Sequence, residues 1–167
     1  MKKLQWVIHA PSNNTLLIKQ KVTGALIEKT SNLHISISSP FETNAKDILE
    51  ADGLLIGTTE NLASMAGATK DFFDRTYYDL LGKKEGLPIV IWVRAGHDGT
   101  GTVKQLTGII AGLRWKLVQK ILVCHGKWSK RFIEECTELG LGLAIGLEAN
   151  VYWVCFETVL TTEIPKK

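Results

Sequence analysis

Apolar positions along the chain alternate between two spacings. Leu4-Gln5-Trp6-Val7-Ile8 is a short apolar run that stops at the turn cluster Pro11-Ser12-Asn13-Asn14. Leu17, Ile18, Val22, Ala25 and Leu26 then recur at helical spacing, and Ser12, Asn13 and Asn14 are all good N-cap types. Leu33-His34-Ile35-Ser36-Ile37 alternates apolar and polar, as a half-exposed strand does, and a short helix fits around Asn44–Glu50. Asp52-Gly53 turns into Leu54-Leu55-Ile56-Gly57-Thr58, a strand buried on both faces by composition. The Thr59–Gly67 loop leads to a helix with Phe72, Phe73, Thr76 and Leu80 on one side. Gly86 and Pro88 introduce Ile89-Val90-Ile91-Trp92-Val93, the strongest strand signal in the chain. The glycine-rich loop Ala95-Gly96-His97-Asp98-Gly99-Thr100-Gly101 comes next, then a helix marked by Val103, Leu106, Ile109 and Ile110. Val118–Val123 reads as a strand interrupted by Gln119 and Lys120, and Phe132, Ile133, Cys136 and Leu139 open the last helix.

Five strands thus alternate with helices, and the central strands are continuously apolar. Strands buried on both faces belong to a parallel sheet covered by helices, and right-handed crossovers make such a chain a doubly wound α/β fold. The stretch Val151-Tyr152-Trp153-Val154-Cys155-Phe156 breaks the pattern and is too apolar for a solvated terminus. It either packs within the domain, the reading favoured here, or forms a homodimer contact.

Composition narrows the classes. The 167 residues are 45% apolar and 22% charged, which fits one ordinary globular domain. Twenty Lys and Arg against 17 Asp and Glu leave a net charge of +3, with cations in short scattered clusters, so no nucleic-acid surface is indicated. The three cysteines form no C-x-x-C and are read as reduced, packed side chains of a cytoplasmic protein. The apolar run after Met1-Lys2-Lys3 is short and has no small-residue cleavage site behind it, so it reads as a strand rather than a signal peptide. No run reaches the roughly 18 apolar residues of a membrane span.

Ligands of doubly wound sheets bind beyond the strand C-termini, where strand order reverses. No G-x-G-x-x-G, P-loop, nucleophile elbow or acidic receiver pair stands there, and no His and carboxylate cluster suggests a metal. After the first strand comes a loop of small hydroxyl and amide residues at a helix N-terminus. That arrangement suits a phosphate, although plain N-capping explains the same residues.

The block Ala51-Asp52-Gly53-Leu54-Leu55-Ile56-Gly57-Thr58-Thr59-Glu60-Asn61-Leu62-Ala63-Ser64-Met65-Ala66-Gly67, continued by Lys70-Asp71-Phe72-Phe73-Asp74-Arg75-Thr76, resembles the flavodoxin-like superfamily. It resembles in particular small flavodoxin-family and NAD(P)H-dependent FMN reductase proteins. The Ala95–Gly101 loop is similar to the family's loop after the fourth strand. Ser12, Asn14 and Thr15 match positions of its phosphate loop. The resemblance implies a five-stranded parallel sheet of order 2-1-3-4-5 with helices on both faces, forming one domain over residues 1–167. Residues 151–167 are then an apolar C-terminal extension without a family counterpart.

It also implies FMN as cofactor. The phosphate would lie on Ser12, Asn13, Asn14 and Thr15. The ring would sit between Thr58, Thr59, Glu60 and Asn61 on one side and Ala95, Gly96, His97, Asp98 and Gly99 on the other. Chemistry would occur at the flavin, with no catalytic side chain and no metal. NADH or NADPH would be the donor and a small redox molecule, such as a quinone or flavin, the acceptor. An electron carrier of the flavodoxin type or a flavin-free scaffold are the alternatives, and the net +3 argues against the acidic carrier surface. An anion at Glu60 would disfavour reduced, anionic flavin. The chain departs from the family at Ala10, Asn13, Thr59, Leu62 and Ala63, where it lacks the loop glycine and the stacking aromatic.

Overall fold

The computed structural model describes residues 1–152. Strand β1 (Lys2–Ile8) is followed by α1 (Asn13–Lys29), β2 (Leu33–Ser38), α2 (Ala45–Leu49) and β3 (Gly53–Asn61). Then come β4 (Ser64–Met65), α3 (Gly67–Leu80), β5 (Pro88–Ala95), α4 (Thr100–Gly112), β6 (Lys116–Leu117), β7 (Leu122–His125) and α5 (Arg131–Glu148).

The sheet has the order β2-β1-β3-β5-β6, with β7 also beside β5, and these pairings are all parallel. This is the predicted doubly wound order, with two differences of detail. First, the outer lane is split. Ile89 pairs with Leu117 and Trp92 with Leu122, so two residues of β5 face four of the outer chain. The Gln119-Lys120 interruption in the apolar pattern marks where the surplus loops out, and the predicted Val118–Val123 strand therefore lies later, at Leu122–His125. Second, β3 runs on to Asn61 and turns back as β4, so part of the expected Thr59–Gly67 loop is an antiparallel hairpin.

Helices cover both faces. Leu4, Trp6, Ile8, Leu55, Val90 and Trp92 pack with Ile18, Val22 and Leu26 of α1 and with Cys136, Leu139 and Leu143 of α5. Val7, Leu54, Ile56, Ile89, Ile91 and Val93 pack on the other face with Ile48 of α2, Phe72 and Phe73 of α3 and Leu106 and Ile110 of α4. The helical faces expected from the sequence spacing are the buried ones. Of the apolar stretch at 151–156, Tyr152 donates from its hydroxyl to the Gly142 carbonyl at 3.3 Å and lies against Gly146. Residues 153–156, and the choice between internal packing and a homodimer contact, lie outside the described residues. No helix among the described residues is long and apolar enough to cross a membrane.

Two packing details lead to measurements. Gly57 of β3 lies directly under the fully buried indole of Trp92, and a Cβ there would overlap the ring. Overpacking of that kind costs about 1–3 kcal/mol, so Gly57→Ala is expected to lower unfolding free energy by at least about 1 kcal/mol in urea titration. Cys124 and Cys136 are fully buried free thiols with sulfurs 3.7 Å apart. The Cys124 sulfur and burial together hold the Cys136 thiol well above the ordinary thiol range. In a Cys155→Ser background neither should react with a disulfide reagent until denaturant is added, and stoichiometric labelling of the native protein would contradict this packing.

Candidate functional site

The parallel strands all deliver their C-terminal loops to one edge of the sheet. The chain reverses direction of winding between β1 and β3, because β2 adds on one side of β1 and β5 on the far side of β3. The loops after β1, β3 and β5 meet at this reversal, which is where such sheets bind ligands.

The loop after β1 ends in Ser12, the N-cap of α1. Its Oγ accepts from the Thr15 N–H at 3.3 Å, and the Thr15 Oγ1 accepts from the Ser12 N–H at 3.0 Å. Thr15 is fully buried and its hydroxyl donates back to the Ser12 carbonyl at 2.9 Å. The capping explanation of these two residues is therefore realised, and a cap of this kind contributes about 1 kcal/mol. Asn13 and Asn14 are exposed, no acidic residue stands in the first turn, and their N–H groups have no acceptor among the described residues. Two amide donors thus remain at the positive end of a 17-residue helix. His9, the residue after β1, donates its N–H to the Gly57 carbonyl at 2.9 Å and so ties this loop to β3. Burial lowers the imidazole pKa and favours its neutral form.

On the β3 side, Thr58 is fully buried and its hydroxyl lies 2.6 Å from that of Thr69 at the start of α3. The Thr59 hydroxyl donates to the Asn61 side-chain oxygen at 2.8 Å. Leu62 and Ala63 both have positive φ, 52° and 59°, and join β3 to β4 as a two-residue mirror-image turn. Hairpins favour such turns because their twist matches the strands, but the turns normally carry Asn-Gly. Leu62 is fully exposed at the tip.

The β5 side completes the site. Ala95 is buried, whereas Gly96, His97 and Asp98 are exposed. Gly99 has φ +76° and caps α4 without any side-chain acceptor of its own. The Thr100 N–H, 2.9 Å from Asp98 Oδ1, holds that carboxyl below its usual range.

Residues distant in sequence pin these loops. The Glu60 carboxylate accepts from the N–H of His97 at 2.8 Å and of Gly99 at 3.1 Å. Gln105 of α4 accepts from the Ser64 hydroxyl at 2.9 Å and the Met65 N–H at 3.0 Å. Gly101 lies against the Ala63 carbonyl so closely that a Cβ would overlap it. Behind them, Arg94 donates to the carbonyls of Ala95, Cys124 and Gly126 and stacks 5.4 Å over the Phe132 ring. Gln105 and Arg94 escaped the sequence analysis, and neither carries a motif that would have found them.

A model of the NADPH-dependent FMN reductase family matches residues 15–129. The chain belongs to that family. The match contains the β3 and β5 loops and begins at Thr15, so Ser12, Asn13 and Asn14 lie just outside it. Among solved structures, flavodoxin 1 from Bacillus cereus is 15% identical with a TM-score of 0.72, covering 86% of this chain and 98% of that one. A flavodoxin from the domain Archaea is 17% identical at TM-score 0.73, covering 87% and 99%. An oxidoreductase from Corynebacterium diphtheriae is 21% identical at TM-score 0.63, covering 87% and 96%. At these identities the structures show the flavodoxin-like fold. No curated protein matches the chain.

Membership makes the protein a flavodoxin-like oxidoreductase of an FMN-binding family. Its residues accommodate FMN in part. The free amides of Asn13 and Asn14 suit a phosphate. The His97 and Gly99 amides, however, are held by Glu60.

The hairpin turn provides a stability test. A non-glycine residue in the left-handed region costs about 1 kcal/mol or more. Leu62→Asn with Ala63→Gly is therefore expected to raise unfolding free energy by about 1 kcal/mol. Unchanged or lower stability in thermal and chemical unfolding would mean the turn is not under this strain.

Proposed function

We propose that the protein is an FMN-dependent reductase that takes two electrons and a proton from NADH or NADPH and passes them to a small acceptor such as a quinone or a free flavin. The observation that supports this most directly is the pair of free amides at the α1 N-terminus, set at the strand-order reversal of a chain in this family. Ser12, Asn13, Asn14 and Thr15 would hold the phosphate. Because the Ser12 and Thr15 hydroxyls complete the helix cap, backbone N–H groups and the Asn13 and Asn14 side chains would make the contacts. Thr58, Thr59, Glu60 and Asn61 would flank the ring on one side, and Ala95, Gly96, His97, Asp98 and Gly99 on the other. The Thr58–Thr69 hydroxyl pair and the Gln105 bonds keep the β3 wall rigid, which lowers the ordering cost of binding. FMN, when bound, supplies the redox chemistry. The chain's own part is to place the ring beside open solvent at Leu62, where a nicotinamide and then an acceptor can approach in turn. Reduced, buried Cys124 and Cys136 are consistent with a cytoplasmic setting.

Protein supplied with FMN should bind it and turn yellow, and should then oxidise NADH or NADPH in the presence of a quinone. Failure to bind at tens of micromolar FMN would refute the proposal. Asn14→Asp separates phosphate binding from folding. A carboxylate in the first turn favours the helix dipole by about 0.3–1 kcal/mol but repels a phosphate. The variant should be as stable as the parent or slightly more so, yet bind FMN at least tenfold more weakly. Unchanged affinity would place the phosphate elsewhere.

A further inference from the structure

Glu60 is the penultimate residue of β3, and its side chain reaches across the site to another loop. Both carboxylate oxygens are used, Oε2 by the His97 N–H at 2.8 Å and Oε1 by the Gly99 N–H at 3.1 Å. These two amides stand at the entrance to α4, whose N-cap glycine provides no side-chain acceptor and whose first turn has no acidic residue. The positive end of a 13-residue helix there faces two carboxylates, Asp98 on the Thr100 N–H at 2.9 Å and Glu60, from another element, on the His97 and Gly99 amides. Glu60's own backbone cannot follow if the side chain leaves, because β3 is paired to β4 at Glu60 and Met65 and the hairpin is tied to α4 through Gln105. Release is therefore a rotation of one side chain.

We propose that Glu60 is an internal competitor for the flavin: its carboxylate occupies the amide pair that the carbonyl-bearing edge of the ring would use, and FMN must displace it. This rests on the FMN reading of the site. An amide N–H cannot serve two acceptors at full strength, so every hydrogen bond the ring gains there is one the carboxylate gives up. Flavin affinity is thus set partly by the residue at position 60. Ligands without an acceptor-rich planar edge cannot open the contact, and Glu60 selects against them.

The test uses the apo-protein and its FMN complex, with Glu60→Ala and Glu60→Gln. In the apo state, amide hydrogen exchange of His97 and Gly99 should quicken at least fivefold in Glu60→Ala. FMN, titrated by its fluorescence, should bind Glu60→Ala at least fivefold more tightly than the parent, with Glu60→Gln between them. Glu60→Gln retains the side-chain length and serves alone if the alanine variant does not fold. Unchanged exchange at both amides overturns the proposal. So does faster exchange with FMN affinity equal or reduced, since the carboxylate would then add a contact to the ring rather than compete with it. No FMN binding by any of the three proteins refutes the cofactor reading and the competition with it, while the exchange rates still report separately whether Glu60 holds the loop.

Discussion

Strands β3 and β5 are closed to water on both faces, with Leu54, Leu55, Ile56 and the run from Ile89 to Val93 all fully buried. Every backbone donor and acceptor in them must be satisfied inside the sheet, which leaves their neighbours no freedom of register. That single condition aligns the ends of β1, β3 and β5 at one edge. It also explains why Gly57 faces Trp92: an indole can cross a buried strand only where the strand has no side chain. The loops at the edge inherit the rigidity of what lies beneath them.

The two helix entrances at this edge are treated in opposite ways. At α1, the cap is local and reciprocal between Ser12 and Thr15, and the next amides are left open. At α4, the N-cap glycine has no acceptor of its own, Asp98 takes only the Thr100 amide, and a second carboxylate comes from a different strand. One entrance is thus ready for an anion and the other already holds one.

Most of the architecture could be read from spacing, because apolar residues at helical and strand periods record burial directly. Ile18, Val22 and Leu26 mark the buried face of α1, and Ile89 to Val93 mark a strand with no exposed side. The hairpin could not be read, since Leu62-Ala63 carries no glycine or asparagine to announce a turn of positive φ. The site was legible as three loops but not as a set of contacts. Glu60 meets its partners 37 and 39 residues away. Gln105 and Ser64 are 41 apart, and Arg94 reaches Cys124 and Gly126 across β7. Contacts of that range depend on the assembled sheet, and local pattern does not encode them.

The split outer lane separates two duties that one strand would have combined. β6 is registered to Pro88 and Ile89 at the base of the sheet, while β7 is registered to Trp92 through Ala95 beside the site. Val118 still bonds the Ile89 carbonyl and Ile121 packs on the core, so the surplus between the two anchors is confined to Gln119 and Lys120. An added peptide or a whole inserted module could be accommodated at Gln119-Lys120 without disturbing the loop that carries His97 and Gly99. The outer lane is the natural place for this scaffold to gain new attachments while the edge formed by the β1, β3 and β5 loops stays as it is.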